Sequence, residues 1–198
     1  MMTLLTAVLL AGAEVPAAIA VDSLVYVRIE TTEGAITLEL EQARAPRTVE
    51  NFLWYVDAGA YAGGTFHRTV RADNQPDDSV RIAVIQAGAR QGAERRPAIE
   101  IEPTDETGIR HLDGVLSMAR GGPNSATHGF FICVGDQPEL DRGGARNPDG
   151  WGFAAFGRVV EGMEVVHRIH RMRAEGQTLV EPVVIEDARR VPAPGGPG

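Results

Sequence analysis

Gly64-Thr65-Phe66-His67-Arg68, answered after a polar stretch by Arg81-Ile82-Ala83-Val84-Ile85-Gln86, is the pair of segments whose reading decides the fold. The first alternates apolar and polar residues as a half-buried strand does, with Phe66 facing one way and Thr65 and Arg68 by turns the other. It delivers a guanidinium onto a strand. The second is β-branched or apolar until Gln86, whose amide can both donate and accept hydrogen bonds. A fixed cation, an amide and apolar walls suit a carbonyl-bearing peptide better than a phosphate or a metal. Between them, Arg71 to Ser79 is rich in Asp, Asn and Pro and reads as a loop.

Outward from this pair, strand signals recur. Leu24–Glu30 and Ala35–Leu40 alternate around a turn at Glu33-Gly34, which predicts a hairpin with Arg28, Glu30, Thr37 and Glu39 facing water. Pro46 can open a helix. Val49, Phe52, Leu53 and Val56 then fall on one helical face, and Gly59 is placed to end it. Residues 89–111 read as a long surface loop with Ile99 and Ile101 in a short strand. Strands follow at 114–119, 130–134 and 153–160. A second helix over 162–172 carries Met163, Val166, Ile169 and Met172, and a last strand covers 180–185. Many strands punctuated by turns, with two helices, predict a mainly β fold: a closed eight-stranded antiparallel barrel capped by two α-helices. Its expected core is Val27, Ile29, Ile36, Leu38, Phe52, Phe66, Ile85, Leu116, Phe130, Ile132, Phe156 and Ile169.

The 198 residues fit one domain, and an apolar fraction of 43% can fill a core. A net charge of −8 argues against nucleic acid, whose footprint needs clustered basic residues; all 19 basic residues are Arg. Residues 1–20 hold an apolar run from Leu4 to Ala13, too short to span a bilayer, and the small-x-small pattern Ala18-Ile19-Ala20. They are expected to be a signal peptide, which implies a periplasmic or secreted product, or a cytoplasmic one if they are not a signal. The missing basic residues before Arg28 and the intruding Glu14 run against the signal reading. The folded body is then expected to cover 21–190, and 191–198 is expected to be a disordered tail.

Other constellations carry less. Cys133, the single cysteine, sits in an apolar run and is expected to be a buried, inert thiol. His167 and His170 could share a helix face, but no third ligand accompanies them, so no metal site is expected. Ser117, His128 and Asp136 could be combined into a hydrolase triad, yet Ser117 lacks a nucleophile elbow. Asp73, Asp77 and Asp78 lack the spacing of a calcium loop.

The ordered set Phe66-His67-Arg68, Gln86-Ala87-Gly88, Gly114–Ala119, Gly122-Pro123-Asn124, Phe130-Phe131-Ile132, Leu140-Asp141 and Phe156-Gly157-Arg158-Val159 resembles the cyclophilins. These are peptidyl-prolyl cis-trans isomerases on an eight-stranded barrel closed by two helices, and the likeness runs from about Leu24 to about Ile185. It implies an isomerase of X–Pro bonds with no cofactor, acting on unfolded or loop-exposed proline-containing polypeptides. Arg68 falls on the family's catalytic arginine and Gln86 on its substrate-binding glutamine. The proline pocket and adjoining groove fall on Phe66, Val84, Met118, Ala119, Phe131, Leu140 and Phe153. Ala83 and Gly129 replace larger groove residues, and Glu139 replaces an aromatic, which implies weak binding of cyclosporin-type ligands. A monomer without stable membrane insertion is expected. The alternative is a proline-peptide binding module or holdase with weak or no turnover, favoured by Ala83 and Gly129 and disfavoured by the retained Arg68 and Gln86.

Overall fold

A computed structural model describes residues 24–75 and 80–195. The expected signal peptide, the end of the 71–79 loop and the last three tail residues lie outside them. The strands are β1 (Leu24–Thr31), β2 (Gly34–Glu41), β3 (Thr65–Val70), β4 (Val84–Gly88), β5 (Val115–Met118), β6 (Phe130–Cys133), β7 (Ala155–Glu161), β8 (Ala174–Glu175) and β9 (Thr178–Val191). The helices are α1 (Pro46–Asp57), a single turn α2 (Thr104–Thr107), and α3 (Met163–Arg171). Strand order is β1-β2-β7-β5-β6-β4-β3-β9, with β1 pairing back onto β9, so eight antiparallel strands close on themselves. The two-residue β8 hangs on β9 as a small hairpin. Closure leaves no exposed sheet edge in the body of the barrel. β9 is long enough to pair with β8 and β3 at its start and with β1 at its end, so one strand locks the seam.

All the expected core residues are fully buried. Phe52 of α1 plugs the interior, with its ring 5.2 Å from Tyr61, 5.3 Å edge-on to Phe130 and 5.2 Å from Phe156. A second, separate apolar cluster lies outside the barrel wall: Val70, Ile82, Val84, Phe131, Cys133 and Leu140, with Ala119 and Phe153 against it. Strand alternation makes the division. In β6, Phe130 and Ile132 face in while Phe131 and Cys133 face out, and in β4, Ile85 faces in while Val84 faces out. Burial pushes the Cys133 thiol far above its ordinary pKa.

Several sequence expectations change. Thr37 and Glu39 are buried rather than facing water. Glu39 accepts from Tyr26 Oη at 2.8 Å and Arg158 Nε at 2.8 Å, and Thr37 donates to Glu161 at 2.9 Å, because β1 and β7 flank β2 and cover it. β4 starts at Val84, not Arg81. Gln75 accepts from Ile82 N and donates to Ile82 O, while Gln137 accepts from Ala83 N, so side-chain amides replace strand partners there. Ile99 makes only an isolated bridge to Ala126, and Ile101 lies in no strand. α2 is a helix that the periodicity did not show, being a single turn. Val191 still belongs to β9, paired with Tyr26.

The long segment before β5 is pinned to α1. Pro46 opens that helix and Ala45 offers no side-chain cap. Glu102 supplies one from 54 residues away, accepting from Thr48 N at 2.7 Å, Thr48 Oγ1 at 2.6 Å and Arg47 N at 3.1 Å. A buried carboxylate on the helix N-terminus satisfies orphan donors and meets the positive end of the dipole. Glu102→Ala should therefore cost about 2 kcal/mol. The urea midpoint would fall with an unchanged slope.

Candidate active site

The register of β3 places the site. Phe66 pairs with Ala87, but the next pair is Arg68 with Gln86, so His67 is an extra residue on β3. Against β9 the register also breaks here, Phe66 pairing with Val183 and Arg68 with Thr178, but there the surplus residues lie on β9. In a regular strand Phe66 and Arg68 would share a face. The bulge sends them to opposite sides: Phe66 into the core, edge-on to Phe130 at 5.9 Å, and Arg68 out onto the wall. Gly64 enters this strand so close to β4 that a Cβ would lie 2.3 Å from the Gly88 carbonyl oxygen, which explains the glycine.

From Arg68 the register runs in one line across four strands. Arg68 pairs with Gln86, Gln86 with Phe131, and Phe131 with Ser117. Neighbouring strands lie about 5 Å apart, so the backbones carrying the cation and the aromatic ring are roughly 10 Å apart. Between them opens a cavity of about 220 Å³. Arg68 and Gln86 form its polar side, and Val84, Ala119, Phe131, Leu140 and Phe153 its apolar side. Phe153 stands edge-on to Phe131, with centroids 5.3 Å apart.

Phe66 and Met118 do not line the cavity. Both are buried in the barrel interior, Phe66 because of the bulge and Met118 because it shares the inward face of β5 with Leu116. A direct substrate contact from either is not what this geometry offers.

The guanidinium of Arg68 is half-buried and donates through Nη1 to Gln86 Oε1 at 2.7 Å. Nε and Nη2 both donate to Gln177 Oε1. Burial, and then the charge of Arg146, lower its pKa. It remains a cation at neutral pH.

A match to the family model for cyclophilin-type peptidyl-prolyl cis-trans isomerases covers residues 26–190. The chain belongs to that family. It is 38% identical over 169 residues to peptidyl-prolyl cis-trans isomerase cyp18 of Streptomyces antibioticus, covering 82% of this chain and 96% of that protein. It is 34% identical to peptidyl-prolyl cis-trans isomerase A of Dickeya dadantii, over 87% of each chain. A solved cyclophilin-type isomerase of Cryptosporidium parvum shares the fold, with a TM-score of 0.70 at 22% identity, over 86% of this chain and 99% of that one. A second structure of that protein, in the presence of the dipeptide Ala-Pro, gives a TM-score of 0.67 at 22% identity, over 83% of this chain and 97% of that one.

Around this cyclophilin pocket are residues that periodicity did not mark. Ile82, Arg120, Arg146 and Asn147 line it, and three of these four come from loops that carry no repeating pattern. Arg120 is held by a bidentate pair with Asp149 at 2.7 and 2.9 Å and by donating to Gly152 O, and its guanidinium lies 5.1 Å over Phe153. Those hydrogen bonds hold the Asp149 carboxyl down to about 2. Arg146 donates to Val80 O at 2.9 Å, tying the 142–152 loop to the loop before β4. Gln177 was equally unmarked, since a lone amide in a turn is common in any chain.

Ser117 meets neither His128 nor Asp136. His128 instead accepts from Ala89 N, and Asp136 from Asp113 N. Ser117 is hydrogen-bonded to His111 Nε2 at 2.9 Å, and His111 Nδ1 meets Asp141 at 2.8 Å. The hydrogen bonding is triad-like, but the serine is wholly buried and cannot reach a substrate. The His111 ring stacks behind Phe131 at 6.1 Å and 16°, so this network backs the pocket floor. His170 bonds to Val70 O, and among the described residues no group of three His, Cys, Asp or Glu could hold a metal ion.

Burial alone would raise the Asp141 pKa, but its hydrogen bonds from His111 hold it below the ordinary carboxylate range. Its stabilisation is present above about pH 4 and is lost as pH falls through the depressed folded value. The stability gap between wild type and Asp141→Asn should be about 1–3 kcal/mol at pH 7. Urea melts should show it closing below about pH 4, and a pH-independent gap would assign it to packing instead.

Proposed function

We propose that this chain accelerates rotation about X–Pro bonds in exported, unfolded or loop-exposed polypeptides by stabilising the twisted amide with Arg68. The observation that carries this is the line from Arg68 through Gln86 to Phe131, a fixed cation and amide facing an apolar socket.

Amide resonance opposes rotation by about 18–20 kcal/mol, and X–Pro exchange takes roughly 10–100 s uncatalysed. The two planar isomers lie within about 1 kcal/mol, so no bond need break and no nucleophile is needed. The site must bind the twisted amide more tightly than either planar form. Bringing exchange to about a millisecond requires roughly 5–7 kcal/mol.

Twisting localises a lone pair on the prolyl nitrogen and uncouples the carbonyl. A guanidinium N–H aimed at that nitrogen makes a poor hydrogen bond to the planar amide and a good one to the twisted amide. Such a charge-assisted donor supplies about 3–4 kcal/mol at the transition state. The rest comes from Phe131, Val84, Leu140 and Phe153 holding the pyrrolidine ring while Gln86 holds the backbone and the preceding carbonyl turns. The half-buried setting strengthens the charge–dipole interaction.

Action as a monomer belongs to the same reading, and the sedimentation coefficient of the purified protein tests it. Among the described residues no helix is long and apolar enough to cross a membrane. The apolar run and small-x-small pattern in residues 1–20 support export to the periplasm or beyond, and N-terminal sequencing of the mature protein tests this.

Arg68→Ala should keep the fold and lower kcat/KM by roughly 10²–10³-fold in a chromogenic Ala-Pro-Phe peptide assay. Wild-type turnover by this variant would remove Arg68 from the mechanism, and a wild-type chain without turnover would belong with the proline-peptide binders.

A further inference from the structure

Arg68 has five N–H donors. Three are taken: Nε and one on Nη2 by Gln177, and one on Nη1 by Gln86. One donor remains on each terminal nitrogen. Both anchors are neutral amides, and among the described residues no carboxylate pairs with this guanidinium.

Gln177 sits in the turn between β8 and β9 and does not line the cavity. Its own placement is fixed. Its backbone oxygen accepts from Thr69 N at 3.0 Å, one residue beyond Arg68. Its Nε2 faces Asn74 O at 3.4 Å, and Asn74 Nδ2 donates to Gly176 O and Thr69 O, each at 3.0 Å. The loop after β3 thus latches the β8–β9 turn. The amide orientation follows from chemistry, since a guanidinium only donates and must meet the oxygen.

We propose that Gln177 is a positioning residue for catalysis: it fixes the Arg68 guanidinium from behind through a neutral acceptor, leaving the side chain's full charge and two donors for the twisted amide. The inference rests on the reading of Arg68 given above.

The test measures kcat and KM on an Ala-Pro-Phe peptide for wild type, Gln177→Ala, Gln177→Glu, Arg68→Ala and the double variant Arg68→Ala/Gln177→Ala. Thermal melts confirm the fold of each. Gln177→Ala should lower kcat roughly 10-fold with KM within about 2-fold, because a misplaced donor costs rate more than ground-state binding. Gln177→Glu keeps the shape but pairs the cation with an anion, and should lose a comparable factor. The double variant should match Arg68→Ala alone, because Gln177 acts only through Arg68. The proposal is overturned if Gln177→Ala raises KM at unchanged kcat, if Gln177→Glu is as active as wild type, or if the alanine exacts the same factor without Arg68. Full activity of Arg68→Ala is a different result, removing the reading of Arg68 itself and this proposal with it.

Discussion

One extra residue in β3, His67, separates the interior of this barrel from its chemistry. Without the slip, Arg68 would follow Phe66 into a space already filled by Phe52, Phe130 and Tyr61, where an unpaired guanidinium is prohibitively costly. With it, the same short strand contributes a core aromatic on one side and a half-buried cation on the other. The extra residue stands against β4, where the pairs of Thr65 and Phe66 before it and of Arg68, Thr69 and Val70 after it hold it in place. Everything outside the wall is arranged relative to that displaced side chain.

The two apolar clusters do different work. The inner one closes the barrel around α1, and nothing in it touches the cavity. The outer one is built from residues that strand alternation forces outward, and it would be an exposed patch were it not roofed by the 142–152 loop and the loop before β4. Behind it, His111, Asp141 and Ser117 satisfy one another and brace Phe131, so the ring that forms the floor rests on a fully bonded polar layer. The cation is braced in the same way by two amides, which position it without neutralising it.

The barrel was legible because its evidence is periodic. Alternation in β1 and β2, the continuous apolar run of β6, the helical spacing of Val49, Phe52, Leu53 and Val56, and the turn glycines each point to one local answer. Arg68, Gln86, Val84, Ala119, Phe131, Leu140 and Phe153 could be placed because ordered motifs surround them. What could not be read depends on register or on loops. Alternation taken without the bulge cannot say which way Phe66 and Arg68 point, and Met118 looks like a pocket residue until its pairing with Phe130 fixes its face. Glu39 and Thr37 look solvent-facing in a hairpin and are covered only because the sheet closes. Gln177, Arg120 and Glu102 act across long sequence separations from segments with no periodicity, so no local pattern announces them.

The central claim is that the charge on Arg68, and not merely its shape, lowers the rotational barrier. Replacing Arg68 with citrulline, which keeps the planar outline, the Nε–H and one terminal NH2 but is neutral and carries an oxygen in place of the other terminal nitrogen, tests this most directly. Exchange of a bound Ala-Pro peptide, followed by NMR at saturation, should slow by roughly 10²-fold while the peptide's affinity stays close to wild type. Exchange at the wild-type rate with the neutral side chain in place would contradict the account.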